Sequence, residues 1–274
     1  MSHPSFPDRI VIWREGSQSI VDFTALEDFI RVTIPGIEIT GPFDLWSGVR
    51  GAGDIGPFAV KLAGSRVFRI DTDRGTLKEP PLRGEIVVEE RMIEGVTEPI
   101  GMLYDGKSLA GTYALAIRGS TLGNSPDPDS LHLVITYRLI GTFDASDVRY
   151  HARTSLYTYP CIISTTGLVV APAKPREYYL AKNFLRDGKR EDELLETIRG
   201  RFLDYNDERT TDVLKGYFLQ AFFYHATGNP FCDNPLCRLY NAHWQEDMLR
   251  AQLEGEHDLC QVHEEILVGR DPHQ

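Results

Sequence analysis

Nowhere in this chain do apolar residues run long enough to cross a bilayer, which takes roughly 18 or more in succession. Basic residues are scattered: no run of Lys and Arg exceeds a few positions, and 29 of them face 40 Asp and Glu, for a net charge of −11. That balance argues against non-specific attachment to nucleic acid or to an anionic membrane, since both need clustered positive charge. The opening MSHPSFPDRIVIWREG lacks the charged-then-apolar pattern of an export signal, so a cytoplasmic protein is expected. Internal repeats and low-complexity tracts are missing as well. Cysteine is scarce, at four residues, and its placement says more than its number.

What is present suits a soluble globular protein. The chain has 274 residues, 42% apolar and 25% charged, enough to bury a sizeable core. Residues 9–14 (RIVIWR) predict a buried strand. Asp22-Phe23-Thr24 opens an amphipathic helix with Leu26, Phe29 and Ile30 on one face; Pro35-Gly36 ends it, and residues 37–40 predict a second strand. From about 48 to 128 the short runs VFRI, EIVV and YALAI, parted by Gly, Pro and charged turns, predict a β-rich insertion. Residues 131–140 and 158–165 predict further strands. A helix from Thr211 carries Leu214, Tyr217, Phe218, Ala221, Phe222 and His225 on one face, with Thr210 or Thr211 as its cap and Gly228 as its stop. The expected fold is α/β in the α+β sense, a mixed sheet with packed helices in a single domain over residues 8–274.

The sharpest chemical signal is C-x4-C-x22-C-x2-H, formed by Cys232, Cys237, Cys260 and His263. Zn²⁺ takes four soft or borderline ligands in a tetrahedron, and three thiolates with one imidazole leave no open position for water. One structural zinc is therefore expected within a C-terminal subdomain over residues 229–268, with Asp233-Asn234-Pro235 turning the chain between the first two ligands. His243 and His257 lie between the two pairs and compete with His263 for the fourth place. Two other readings stay open: small buried thiols without metal, or two disulfides that also use Cys161 in an exported protein.

From Ala221 to Leu239 the chain reads A-F-F-Y-H-A-T-G-N-P-F-C-D-N-P-L-C-R-L. This resembles the signature of the archaemetzincins, a branch of the zinc-dependent metzincin peptidases: H-E-x-x-H-x-x-G-x-x-H-C-x4-C-x-M, with a further C-x-x-C downstream. The stretches LVITYRLIGTFD and YPCIISTTGL are similar to the family's strand, turn and next strand. The resemblance implies a metzincin-like mixed sheet and a structural zinc on Cys232, Cys237, Cys260 and His263. It also implies a damaged catalytic half. Ala221 stands at the first histidine position, Phe222 at the glutamate, Phe231 at the third histidine and Leu239 at the methionine. Only His225 survives, as a vestige expected to sit in packed core.

Three functions compete. The leading expectation is a pseudo-metallopeptidase that binds a protein or peptide partner through the inherited cleft. The second is an active metallopeptidase or other hydrolase with rearranged ligands, for which His151 and His225 are the first pair to test. The third is a nucleotide-binding protein using Gly51-Ala52-Gly53-Asp54-Ile55-Gly56, which matches G-x-G-x-x-G and is followed by Asp71.

Overall fold

The computed structural model describes residues 5–76, 79–97, 101–122, 127, 129–184 and 188–269. Its centre is strand β1 (Arg9–Arg14), in which alternate residues are apolar on both faces. Ile10 and Ile12 join one core, Val11 and Trp13 a second, and all four are fully buried. A strand covered on both sides belongs in the middle of a sheet.

The chain continues through α1 (Phe23–Thr33), β2 (Glu38–Asp44), α2 (Ser47–Gly51), α3 (Ile55–Gly64), β3 (Arg66–Val67), α4 (Arg83–Ile93), β4 (Leu103–Asp105) and α5 (Gly106–Gly119). Then follow β5 (Ser130–Thr136), β6 (Leu139–Asp144), β7 (Arg149–Arg153), β8 (Ser155–Leu156), β9 (Cys161–Ser164) and α6 (Thr165–Val170). The last helices are α7 (Arg176–Phe184), α8 (Gly188–Thr197), α9 (Thr210–Thr227), α10 (Gln245–Leu253) and α11 (Gln261–Val268). One sheet has the order β2-β1-β5-β9-β8 and a smaller one β3-β4-β6-β7. In the larger sheet β1 is parallel to β2 and to β5, β5 is parallel to β9, and β8 is an antiparallel edge. The fold is α+β with mixed sheets, as the sequence predicts.

The segment from 48 to 128 departs from its β-rich reading. Among its described residues are most of α2 and the whole of α3, α4 and α5, and its strands β3 and β4 have two and three residues. EIVV opens α4, where Glu85 accepts the backbone N–H of Leu82 at 2.7 Å and closes the first turn. YALAI lies inside α5, whose buried Leu109, Ala110, Tyr113, Ala116 and Ile117 recur at helical spacing. These helices cover the second face of the larger sheet, packing on Val11, Trp13 and Val134. The G-x-G-x-x-G tract also loses its context. Gly51 ends α2, Gly53 turns at φ +69°, and Ile55 starts α3, so no strand feeds the first glycine. Asp71, the proposed ribose acid, is an exposed residue paired with Arg69.

Helix α9 lies on the first face beside α1 and is buried nearly all round. Its left-handed stop at Gly228 (φ 75°) is as expected, and the glycine N–H closes on the Tyr224 carbonyl at 2.8 Å. Its start is different. Arg209 holds the cap position, and the Thr210 hydroxyl donates backward to the Asp207 carbonyl at 2.7 Å instead of accepting from the helix. The Thr211 hydroxyl accepts the Asp22 N–H at 3.0 Å, tying the entry of α1 to the entry of α9.

Charged residues sit where the two cores meet the carboxyl ends of β1 and β5. Arg138 and Glu15 are fully buried and paired at 2.9 Å. The other side of the Arg138 guanidinium reaches Glu89 of α4 at 2.6 Å, and Glu89 also binds Arg66 of β3 at 2.6 Å. Trp46, Tyr113 and Thr136 donate to Glu15, and Tyr104 donates to Glu89. Two acids and two guanidinium groups make this island neutral. Burial opposes the charge on Arg138, but Glu15 leads the neighbours that hold it ionised.

Candidate metal centre and the adjoining cleft

Past Gly228 the chain leaves α9 and folds back, so that Cys232 bridges to Tyr240 and donates its N–H to the Leu239 carbonyl at 2.9 Å. The Asn234 N–H points at Cys232 Sγ from 3.4 Å, and the Cys237 N–H closes a turn on the Asn234 carbonyl. Cys260 stands at the cap position of α11, which presents His263 one turn on. Four ligand atoms, from Cys232, Cys237, Cys260 and His263, thus lie within 4.8 Å of one another.

The arrangement fits a tetrahedral ion. Zinc–sulfur bonds of about 2.3 Å put the sulfurs of a tetrahedron about 3.8 Å apart, and Cys232 Sγ to Cys260 Sγ is 3.7 Å. His263 turns Nδ1 toward Cys260 Sγ at 3.1 Å, while its ring meets Phe223 of α9 edge-on, with centroids 5.2 Å apart. Burial raises the thiol of Cys237 to about 12 and that of Cys232 upward. A cation would have to displace those protons and would take the place of burial as the dominant local influence. His243 and His257 are exposed and fall outside the group. Cys161 is buried elsewhere, its thiol pushed up to about 12 by burial, and all four cysteines are free. If it holds an ion, such a set with four protein donors supplies structure and leaves no site for an activated water.

The cleft beside this cluster lies between α9 and residues 157–159, which follow the edge strand β8, with β5 and β9 at its floor. Ala221, Phe222 and Leu239 are fully buried, as expected of apolar replacements. Phe231 and His225 depart from that expectation. Phe231 is 37% exposed, and His225 is half-buried at the wall of a cavity of about 660 Å³. For Phe231 the reason is the end of α9 at Gly228, beyond which the chain no longer follows Phe222 into the core; His225, three residues before that stop, lies on the helix side that faces the cavity. The remaining space is taken by Tyr157, which follows β8. Its ring stacks on Tyr224 at 5.3 Å and meets Phe231 at 6.0 Å, and its hydroxyl donates to Gln220 at 2.7 Å. Nothing in the local sequence LYTYP marks Tyr157 as this plug. His151 sits with Asp144 and Asp147 on the β6–β7 hairpin, bonded to Asp147 at 2.8 Å, and shares no candidate group with His225.

The chain matches the family described as "Probable metallopeptidase family (DUF6775)" over residues 6–269, nearly its whole length. It belongs to that family. No curated protein and no solved structure matches it. A metallopeptidase family implies a metal, and in this member the described residues offer two candidate groups: Cys232, Cys237, Cys260 and His263, and the more exposed Asp144, Asp147 and His151. No described helix is long and apolar enough to cross a membrane.

One more residue near the cleft escaped the sequence reading. His132 of β5 is 2% exposed and lines the same cavity as His225. Trp13 Nε1 donates to its Nδ1 at 3.2 Å, which leaves the proton on Nε2, an atom without a partner among the described residues. Burial lowers its pKa from 6.5 to about 4. Because the folded value lies below the unfolded one, unfolding takes up a proton as pH falls. The stability is intact above pH ~6.5 and drains between ~6.5 and ~4, by roughly 3 kcal/mol if the full shift is expressed. Urea midpoints at pH 7 and pH 4.5 check this: a substantial part of the loss should vanish in His132→Phe.

Proposed function

We propose that this chain is a metallopeptidase relative that has given up hydrolysis, keeps one structural zinc on Cys232, Cys237, Cys260 and His263, and binds a peptide or protein partner. The observation that carries this reading is the content of the cleft. Where the archaemetzincin resemblance implies two zinc histidines and a carboxylate, Ala221, Phe222 and Phe231 stand, and the Tyr157 ring packs against Phe231. A catalytic zinc needs three protein ligands and an open position, and hydrolysis needs a base to take the water's proton. His225 alone supplies neither.

Binding does not need the ion. Strand β8 ends its sheet and is hydrogen-bonded only to β9 within it, so an extended peptide can add to its outer edge. Tyr224 lines the cavity of His225 and Phe231 a smaller one that reaches Ser155 of β8, and both rings are about a third exposed and can receive side chains. A cytoplasmic location accompanies this reading, because three thiolates persist in a reducing compartment.

A hydrolase with rearranged ligands is the second reading, favoured by the family's description and by the Asp144, Asp147 and His151 group. Elemental analysis separates the two. One zinc per chain, unchanged in His225→Ala and accompanied by no cleavage of a random peptide library, supports the binding module. Two zincs per chain, with one lost in His225→Ala, or chelator-sensitive cleavage, would sink it.

A further inference from the structure

We propose that the chain carries a second ligand site, for a neutral polyhydroxylated ring such as a sugar, in the cavity at the carboxyl ends of β1, β5 and β9. The proposal is independent of the metal cluster. That cluster follows the last turn of α9, whereas Thr210 at its first turn lines this cavity; the helix has 18 residues, so the two ends are about 27 Å apart.

Topology opens the space. The chain leaves β1 toward β2 through α1 on the face of the first core, and leaves β5 toward β9 through β6, which packs in the second. Connections that depart in opposite directions from neighbouring parallel strands leave a crevice at their carboxyl ends, where open α/β sheets bind ligands. Here the crevice holds about 470 Å³, the size of a small-molecule site. Its walls include Gln18 at φ 45° and Asn206 at φ 62°, two of the three non-glycine residues with positive φ among those described. Backbone held in that region is concentrated at ligand sites.

The lining selects the chemistry. Thr165, Thr166 and Thr210 each donate their single hydroxyl proton inward, to the carbonyls of Thr136, Tyr137 and Asp207 at 3.2, 2.5 and 2.7 Å. What these three hydroxyls have left is lone pairs that accept, while Ser19, Tyr205 and Asn206 on the same walls can also donate, so a fitting ligand brings groups that do both. No Lys, Arg or His is among the described lining residues, so none of them offers a cationic side chain to an anion. Asp204 puts a carboxylate on the wall, but the Lys174 ammonium pairs with it at 3.3 Å, and the positive end of α9 at Thr210 adds to that balance and counts against a free cation. A neutral ring rich in hydroxyls satisfies both conditions, and the exposed ring of Tyr205 offers an apolar face for its carbons.

Saturation-transfer NMR on the full chain tests this with methyl α-D-glucopyranoside, cellobiose and D-ribose, alongside putrescine and citrate. The expected result is transfer to at least one sugar, with affinity falling about tenfold in Tyr205→Ala and binding lost in Ser19→Trp, whose indole fills the cavity. Both positions are exposed, so melting temperatures stay unchanged and report folding. Absence of transfer to all three sugars overturns the proposal. So does transfer that survives both substitutions, or binding of putrescine or citrate that these substitutions abolish while no sugar binds.

Discussion

Replacing Glu89 with alanine lowers the free energy of unfolding by about 3–5 kcal/mol, the range for breaking a buried ion pair from one side. The carboxylate holds Arg138 and Arg66 at 2.6 Å each, and neither guanidinium can reach water: Arg138 is 0% and Arg66 5% exposed at the side chain. After truncation Glu15 is the only acid left for two buried cations. Arg138 already has one nitrogen, Nη2, without a partner among the described residues, so the island has no spare acceptor to offer. The expected measurement is a urea midpoint lowered at unchanged slope. A double variant, Glu89→Met with Arg66→Met, should be less harmful than Glu89→Ala, because it removes charge in pairs and restores volume. If the single and double variants cost the same, the charges are not coupled and the argument fails.

Stripping the proposed zinc is expected to have the other large effect. Zinc bound only by the folded chain stabilises it by about 4 kcal/mol at a free concentration one thousand times Kd. Treatment with a strong chelator should therefore lower the melting temperature sharply and expose residues 229–268 to protease. Added zinc should restore both. The sites of nicking are expected there because an ion on Cys232, Cys237, Cys260 and His263 would tie the loop after α9 to α11, whose own contact with α9 includes the Phe223–His263 pair, while Arg238, bonded to the Asp212 carbonyl at 2.9 Å, holds the middle of the segment without it. Cys237→Ser should mimic the chelator, since it removes the buried thiolate of the set. A chain that emerges from expression without zinc, and whose melting ignores the chelator, would reduce the cluster to ordinary packed thiols.

Much of this was legible beforehand for local reasons. RIVIWR is apolar on both faces, and such a strand has one place to go. Asp22 before a periodic segment and Gly228 after one mark helix ends through their own backbone chemistry. The grouping of Cys232, Cys237, Cys260 and His263 announces itself by spacing. The misreadings were local too: Val87 and Val88 in α4 and the run Tyr113–Ile117 in α5 imitate strands when four or five residues are read at a time. What no local reading supplies is distance. Glu15 and Arg138 look like surface charges in their own stretches, yet their partners lie 123 residues apart in the chain, and Glu89 lies 49 from Arg138. Tyr157 is equally silent, because its role as a plug depends on which residues α9 sets opposite it.

The central pairing of β1 with β5 has a consequence for biogenesis. Trp13 and His132, which touch across that pair, are 119 positions apart. At about 5–20 residues per second, a ribosome delivers the second partner some 6–24 s after the first. Throughout that interval Ile10, Val11, Ile12 and Trp13 have no β5 to pair with, a ready template for wrong neighbours. Newly made chains should therefore dwell on a holdase at this first strand, and fast translation through the following hundred codons should raise the yield of folded protein.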